Sequence, residues 1–235
     1  METRDELLPT GKWEFDDRVA ACFQNMLLRS IPQYEAMRHA VNVLAAPYVH
    51  PEYSVVDLGC SNGEGLAQVL VAANKPPFQA IGCDNSEPML EAARYGLGAH
   101  ARFENIDLRH EYPMLIRPAS VTLAILTVQF VSIEHRQDLI RRIAKNTAPG
   151  GVFILVEKIL GGTQELDLAF VTEYQRMKLR NGYTRAQIEA KRKSLEGVLT
   201  PMTAAWNEQL LCSAGFKDVE CFWRYMNFAG WIARL

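Results

Sequence analysis

The sequence has few cysteines, and their spacing fits neither a metal site nor a disulfide framework. Its 235 residues include an odd set without a C-x-x-C pair: Cys22, Cys60, Cys83, Cys212 and Cys221. The five histidines form no H-E-x-x-H motif and no pair at helical spacing. Scattered thiols favour a reducing compartment, so we expect no metal and a cytoplasmic location.

The chain also lacks an excess of positive charge and a long apolar run. Its formal net charge is −2 and its pI is about 6.2, which gives no general basic field for nucleic acid or an anionic membrane. No apolar run reaches the roughly 18 residues that span a bilayer. The charged start, Met-Glu-Thr-Arg-Asp-Glu, has no apolar core of a signal peptide. We therefore expect no direct nucleic-acid partner and no membrane partner.

One local basic stretch runs from Lys178 to Lys193. Its charges fit either a solvated helix face or a local binding patch, and the solvated face is the interpretation we favour.

Apolar segments of strand character alternate with helical patterns along the chain. Hydrophobic residues make up 49% and charged residues 22%, as in an ordinary globular enzyme. The alternation predicts right-handed βαβ units in a parallel sheet. Strands are expected at residues 54–58, 79–83, 101–105, 121–126 and 152–157, and helices between them at 64–73, 87–95 and 134–146. The sequence Ala-Pro-Gly-Gly at 148–151 is expected to end the last of these helices.

The two ends of the chain differ from this central pattern. Residues 216–223 and 225–233 are β-rich and joined by a very short turn, which predicts an antiparallel hairpin. Helices are expected before the sheet at 16–29 and 33–44. Two more, at 164–181 and 184–195, form an insertion. We expect one domain: N-terminal helices (1–50), a sheet core (51–160), the insertion as a helical lid (161–200), and a last helix with the hairpin (201–235).

The most informative stretch is Ser54-Val-Val-Asp-Leu-Gly-Cys-Ser-Asn-Gly-Glu-Gly, an apolar strand that runs into a glycine-rich turn. Glycine has no Cβ, so a ligand can lie against bare backbone there. Asp84 ends the next strand, where an acid can accept hydrogen bonds from both hydroxyls of a ribose. The turn is not the dinucleotide motif G-x-G-x-x-G. With Asp57 ahead of Gly59, it resembles motif I of class I S-adenosylmethionine (SAM)-dependent transferases.

Sheets of this type bind ligands outside the carboxyl ends of their strands. The candidates there are Gly59, Cys60 and Ser61 for the methionine part of SAM, Asp84 for the ribose with Asn85 beside it, and Asp107 and Leu108 for adenine. Asp57, two residues before Gly59, is a further candidate for binding the cofactor. Ile125 ends the fourth strand, near the expected position of the reacting methyl group, and Glu157 ends the fifth as a candidate base or a partner of Lys158. Asp84 or Asp107 alone would also fit a helix-capping residue, but acids at successive strand ends favour a cofactor.

Passages along nearly the whole chain resemble the carboxy-SAM synthase family. They include Trp13-Glu-Phe-Asp-Asp-Arg, Arg29-Ser-Ile-Pro-Gln-Tyr, Asp57-Leu-Gly-Cys-Ser, Thr127-Val-Gln-Phe, Asn181-Gly-Tyr and Lys191-Arg. The resemblance implies a class I SAM-methyltransferase, Rossmann-like α/β fold. Its features are a seven-stranded, mostly parallel sheet, an antiparallel C-terminal hairpin and a helical lid. Residues 1–235 would then form a single SAM-binding transferase domain.

The resemblance also implies an activity and a set of ligands. The family converts SAM and prephenate into carboxy-SAM, which a partner enzyme uses to modify the wobble uridine of transfer RNA, and it usually forms homodimers. The bound cofactor would be SAM, carboxy-SAM or S-adenosylhomocysteine. Tyr34 would be a further cofactor contact. Arg192 would be the catalytic cation, because a guanidinium binds a carboxylate bidentately.

One position departs from the family pattern. Ile125 stands where the family places an asparagine among its cofactor contacts. The loss of this polar side chain suits a second hypothesis, a SAM-dependent methyltransferase for a small carboxylic acid such as an α-keto acid or an amino acid. Arg192 would then hold the acceptor's carboxylate. A third hypothesis is a SAM-binding module without chemistry.

Overall fold

The computed structural model describes residues 3–235 and contains one large mixed sheet between layers of helices. Met1 and Glu2, which open the charged N-terminal stretch, lie outside the described residues. The strands are β1 (Ser54–Leu58), β2 (Gln79–Asp84), β3 (Arg102–Asn105), β4 (Ala119–Ile125), β5 (Thr147–Leu160), β6 (Met202–Thr203), β7 (Asp218–Tyr225) and β8 (Phe228–Arg234). Their order is β3-β2-β1-β4-β5-β8-β7, with β6 pairing with β5 off this path.

Strands β1 to β5 pair in parallel, whereas β8 is antiparallel to both β5 and β7. This confirms the predicted mostly parallel sheet with an antiparallel C-terminal hairpin. The two-residue strand β6 was not predicted, since so short a segment has no periodicity to detect.

Every predicted helix is present, with ends within about two residues of the expected positions. The helices are α1 (Asp17–Ser30), α2 (Tyr34–Ala45), α3 (Glu64–Ala73), α4 (Glu87–Leu97), α5 (Ile133–Asn146), α6 (Gln164–Arg180), α7 (Arg185–Ser194) and α8 (Ala204–Ser213). Side-chain caps fix several of their starts, because they satisfy backbone N–H groups that lack a partner in the first turn. Ser86 accepts a hydrogen bond from Met89 N at the start of α4, and Thr184 forms a capping box with Gln187 in α7.

The core lies on both faces of the sheet. On one face, Leu139 and Ile143 of α5 and Leu211 of α8 pack with Phe153 of β5. On the other, α2 and α3 pack against the strands through residues such as Met37. All five residues of β1 are buried, as expected for a central strand covered by helices on both sides.

The segment 148–151 differs from its prediction. It was expected to lie between α5 and the fifth strand, but β5 already begins at Thr147, where it pairs with Ala119. The pairing register then shifts, so that Val121 lies opposite Val152. The Pro-Gly-Gly sequence is therefore a bulge inside β5, and Gly150 provides the positive φ of +72° that an irregular ladder needs.

The lid helices α6 and α7 are tied to the N-terminal segment and to the hairpin. Trp13 N donates to Ser194 O at 2.9 Å at the end of α7. The Tyr174 ring of α6 packs edge-on against Phe228 of β8, with 5.4 Å between ring centroids. Among residues 3–235, none of the helices combines the length and the apolar character that a membrane-spanning helix requires.

Candidate functional site

A cavity of about 860 Å³ lies between the carboxyl ends of the parallel strands and the helices α1, α6 and α7. The predicted cofactor contacts and Arg192 all line it, whereas the candidate base Glu157 does not: the lining includes Tyr34, Asp57, Gly59, Cys60, Ser61, Asp84, Asn85, Asp107, Leu108, Ile125 and Arg192. The structure therefore brings together residues that are up to 158 positions apart in the chain, from 34 to 192. Their individual roles stay predictions.

The glycine-rich turn after β1 is held against β2. Gly59 N and Cys60 N both donate to Cys83 O, at 2.7 and 2.9 Å. Gly59 has a φ of +72°, and a Cβ on it would overlap the side chain of Thr127. Only glycine fits this position, because a side chain would be both strained and crowded. The absence of a side chain thus lets the turn pack directly against Thr127 at the cavity wall.

Asp84 joins the glycine turn to the start of α4. Its Oδ2 accepts from Ser61 N at 2.9 Å and its Oδ1 accepts from Ser86 N at 3.0 Å. Burial raises the pKa of this carboxyl group, and the backbone donors partly oppose the shift. Asp84 therefore closes a turn ahead of α4, but it is not the helix cap that one alternative predicted, because Ser86 caps that helix. Each carboxylate oxygen still has a further lone pair for a ribose hydroxyl.

Asp57 and Arg38 are two buried side chains that lie near each other beside the turn, without an ion pair between them within residues 3–235. Asp57 is only 3% exposed and Arg38, from α2, is 5% exposed. Burial raises the pKa of Asp57 to about 7, although the charge of Arg38 opposes the shift. Arg38 Nη2 is buried and has no hydrogen-bond partner within residues 3–235. An unpaired guanidinium N–H is costly, so this atom marks a place for an acceptor from a ligand.

Arg38 was not among the residues predicted for the site, although the sequence contains a signal for it. Residues Met37, Val41 and Ala45 form the buried stripe of α2, and Arg38 lies next to Met37 on that helix. An arginine at the edge of an apolar stripe requires a partner when the stripe packs.

Asp107 lies at the cavity wall with its carboxylate already engaged. Arg109 donates to it through Nε at 2.9 Å and Nη2 at 2.6 Å. The hydrogen bonds from Arg109 lower the pKa of Asp107 against an opposing effect of burial. Asp107 therefore stays ionised, and this exposed pair keeps a carboxylate oriented where an adenine amine was predicted.

At the end of β4, backbone and buried side chains shape the cavity floor. Ile125 faces the cavity, and Leu126 follows it with a φ of +61°. Glu157 Oε1 accepts from Val128 N at 3.0 Å, and burial raises the Glu157 pKa to about 8. Glu157 thus holds the turn after β4. An ion pair with Lys158 was one of the two roles predicted for Glu157. Within residues 3–235, Glu157 and Lys158 form no such pair.

Arg192 lines the cavity, but its guanidinium is engaged with two acids of the lid. Nε and Nη2 donate to the two oxygens of Glu189 at 2.9 and 2.8 Å, and Nη1 donates to Glu196. The hydrogen bonds that Arg192 donates to Glu189 raise the pKa of Arg192. The bidentate geometry that suits a carboxylate ligand is thus taken by Glu189.

The basic stretch is not simply a solvated helix face. Lys178 is only 8% exposed, and the Lys191 side chain is 15% exposed. Both line the cavity together with Lys158 of β5. Arg192 and Lys193, next to Lys191, are exposed. Within residues 3–235, no group of three His, Cys, Asp or Glu side chains is arranged to hold a metal ion.

Comparison with known proteins agrees with this geometry. A family model described as a methyltransferase domain matches residues 55–151. The carboxy-S-adenosyl-L-methionine synthase of Methylococcus capsulatus is 35% identical over 98% of this chain and 99% of its own length. That of Wolinella succinogenes is 37% identical over 98% of both chains.

The likeness to solved structures concerns the fold. An O-methyltransferase family protein from Burkholderia thailandensis superposes with a TM-score of 0.64 at 19% identity, covering 93% of this chain and 60% of that one. Human N-acetylserotonin methyltransferase, solved in complex with SAM, gives a TM-score of 0.59 at 17% identity, covering 93% and 55%. These matches show the class I SAM-methyltransferase fold. Because the identity to the synthases extends over the full length, the chain belongs to the carboxy-S-adenosyl-L-methionine synthase family.

Proposed function

We propose that this protein transfers a carboxyl group from prephenate to the methyl carbon of SAM and so produces carboxy-SAM. Prephenate would lose its ring carboxyl group as carbon dioxide and its ring hydroxyl group as water, with the proton of that water taken from the SAM methyl group, so that phenylpyruvate remains. The observation that carries the proposal is the position of Arg192, which lines the same cavity as the glycine turn and Asp84. A plain methyl group needs no cation, whereas a carboxylate does. The full-length identity to carboxy-SAM synthases supports the same reaction.

The residues present fit SAM. Gly59, Cys60 and Ser61 line the cavity, and Arg38 Nη2 has no acceptor within residues 3–235. When bound, SAM supplies a sulfonium centre that makes its attached methyl carbon reactive. In our assignment Arg38 holds the methionine carboxylate, and Asp57 accepts from the methionine ammonium. Asp84 accepts from the ribose hydroxyls, and the adenine lies at Asp107 and Leu108.

Arg192 offsets the charge of the transferred carboxylate. To do so it must release Glu189, whose carboxylate now occupies its Nε and Nη2 donors. The exchange costs little, because the Arg192 side chain is 48% exposed and exposed ion pairs are weakened by the surrounding water. Closure of the lid around the carboxylate would exclude water and strengthen the new pair.

The test is the accurate mass of the ligand released from the purified protein, and of the product formed from SAM and prephenate. We expect carboxy-SAM from the wild-type protein and its loss in Arg192→Ala. Arg180→Ala is the matched control, since Arg180 is an exposed lid arginine paired with Glu173. Release of SAM or S-adenosylhomocysteine alone, with no carboxy-SAM formed from prephenate, would refute the proposal.

One observation favours a second candidate, a methyltransferase for a small carboxylic acid. Ile125 places an apolar side chain at the cavity wall where the family has an asparagine. In this candidate Arg192 holds the acceptor's carboxylate. Methyl transfer from SAM to an α-keto acid or amino acid, without dependence on prephenate, would select it over carboxylation.

We further propose a cellular role that rests on the family resemblance. The product would be passed to a partner enzyme that modifies the wobble uridine of transfer RNA, and the protein would act as a cytoplasmic homodimer. Residues 161–200 would serve as the lid of a single domain. The mass of the protein in solution, and the nucleoside content of transfer RNA from a deletion strain, test these points.

A further inference from the structure

Two lysine ammonium groups surround one aromatic ring in the cavity. Lys178 Nζ lies 4.5 Å from the centroid of the Tyr174 ring, and Lys158 Nζ lies 5.2 Å from it. Lys178 and Tyr174 belong to α6, whereas Lys158 belongs to β5. All three line the cavity. The group therefore bridges the lid and the sheet.

These two lysines lack the partners that buried cations normally have. Within residues 3–235, neither ammonium group forms a hydrogen bond or an ion pair, and the Tyr174 ring is their direct contact. Lys191 differs, because its Nζ lies 3.8 Å from Asp5 Oδ2. Lys178 and Lys158 thus bring positive charge into the cavity without a compensating anion in contact.

The surrounding charges point to the same imbalance. The charged groups that shift the pKa of Lys178 are Lys158 of β5, Lys191 of α7 and Asp5 of the N-terminal segment. Asp167 of α6 shifts the pKa of Lys158. The carboxylate of Asp5 already accepts from the Tyr183 hydroxyl and faces Lys191. Burial, followed by repulsion from Lys191 and Lys158, lowers the pKa of Lys178 to about 7. An anion in contact with both ammonium groups would offset this repulsion and raise the pKa of Lys178.

We propose that Lys158 and Lys178, which both contact the Tyr174 ring, form an anion subsite for the carboxylate that the co-substrate keeps after the reaction. The inference rests on the proposed function, in which the donor carries two carboxylates. Arg192 holds the one that is transferred. The lysine subsite holds the one on the oxo-acid side chain, while the Tyr174 ring offers an apolar face to the rest of the molecule. Lys158 and Lys178 are positioning residues for the donor in this assignment.

The test uses the full-length protein saturated with SAM and two probes, phenylpyruvate and the neutral ketone phenylacetone, titrated by calorimetry. Phenylpyruvate keeps the oxo-acid carboxylate, and phenylacetone lacks it. We expect the wild-type protein to prefer phenylpyruvate. Lys178→Met should weaken phenylpyruvate binding about tenfold or more, in line with the loss of a charge-assisted contact, and should leave phenylacetone binding unchanged. Lys178→Arg should restore the preference.

Two controls separate this role from a structural one. Lys193→Met removes an exposed charge from the same lid and should change neither affinity. SAM affinity, measured for each variant, reports an intact site, and Lys158→Met provides a second test if Lys178→Met fails to fold. The wild-type affinity for phenylpyruvate should also fall as the pH rises above about 7, where free Lys178 loses its proton. Lys178→Met should remove this pH dependence.

The outcomes separate this inference from the proposed function. Equal preference for phenylpyruvate in the wild type, Lys178→Met and Lys158→Met would overturn the subsite, as would a wild-type protein that does not distinguish the two probes. Both results are compatible with production of carboxy-SAM in the mass assay. Conversely, lysine-dependent binding of phenylpyruvate without any carboxy-SAM would retain the subsite and refute the carboxylation.

Discussion

Arg38 and Asp57 meet beside Gly65. A Cβ placed on Gly65 would lie 3.0 Å from Arg38 Nη2 and 3.2 Å from Asp57 Oδ2. Gly65 belongs to the first turn of α3, so the helix backbone leaves the space in which the two charged groups meet. The pair at the methionine end of the proposed SAM site therefore depends on a glycine outside the turn at Gly59.

Gly65→Ala should weaken SAM binding by about tenfold without unfolding the protein. The new methyl group would displace Arg38 Nη2 from its position. The backbone itself tolerates alanine, since the left-handed region is not needed here and alanine is favoured over glycine in a helix by up to about 1 kcal/mol. Calorimetry gives the SAM affinity, and thermal unfolding gives the stability.

Gly96→Ala is the matched control. Gly96 also lies in a helix, α4, but no atom lies within 4 Å of a Cβ there. This variant should gain stability from the same helix propensity and bind SAM as the wild type does. If Gly65→Ala and Gly96→Ala bind SAM equally well, the crowding at Arg38 has no consequence for the ligand.

Arg38→Met should discriminate SAM from decarboxylated SAM, which lacks the methionine carboxylate. We expect SAM affinity to fall roughly 10- to 100-fold, because a hydrogen bond to a charged group contributes about 1.5–3 kcal/mol. Decarboxylated SAM should bind the variant and the wild type alike. Calorimetric titration of both ligands measures the difference. An equal loss for both would mean that Arg38 supports the site only through Asp57.

The central part of the site could be predicted because its parts are local in sequence. Gly59 follows β1 directly and Asp84 ends β2, and parallel neighbouring strands place their carboxyl ends together. No information about distant packing was needed. The hairpin of β7 and β8 was predictable for the same reason, since a short turn between two β-rich segments permits only antiparallel pairing.

The lid could not be predicted at the level of single side chains. Lys191 is largely buried against Trp13 and Asp5, whereas Arg192 and Lys193 beside it are exposed. Which of these cations faces the cavity depends on how α7 is rotated against the N-terminal segment, a contact between residues more than 170 positions apart. The charges of Lys178 and Arg38 raise the same difficulty, because composition suggests exposure and only tertiary packing buries them.

Glu157→Gln should make the protein more stable than the wild type at alkaline pH. The folded-state pKa of Glu157 is raised by burial to about 8 from 4.5. Between these values the unfolded chain ionises and the folded chain does not, so the wild type loses stability as the pH rises. Glutamine keeps an acceptor for Val128 N but has no acidic proton to lose, so it stays neutral in both states.

The measurement is the difference in free energy of unfolding between Glu157→Gln and the wild type at pH 5 and pH 8.5. We expect this difference to shift in favour of the variant by a few kcal/mol between the two pH values, because one pKa unit corresponds to about 1.4 kcal/mol. A difference that is independent of pH would show that Glu157 is ionised in the folded protein.

Lys178→Met should stabilise the ligand-free protein while it weakens phenylpyruvate binding. The folded-state pKa of Lys178 is lowered from 10.5 to about 7 by burial and by the nearby lysines. Below pH 7 the folded state therefore carries the full cost of a buried charge, and this cost decreases as the pH rises from 7 to 10.5. Replacement of unfavourable buried charges by apolar side chains commonly gains about 1–4 kcal/mol.

The stability that Lys178→Met gains over the wild type should consequently be largest near pH 6.5 and smaller at pH 9. Thermal unfolding of both proteins at these two pH values measures it. Lys193→Met, which changes an exposed lysine on α7, should leave the unfolding temperature nearly unchanged at either pH. A residue that serves the fold alone would lose stability on substitution. If Lys178→Met is more stable and binds phenylpyruvate less well, Lys178 is a charge that serves the ligand. Destabilisation by Lys178→Met at pH 6.5 would contradict this assignment.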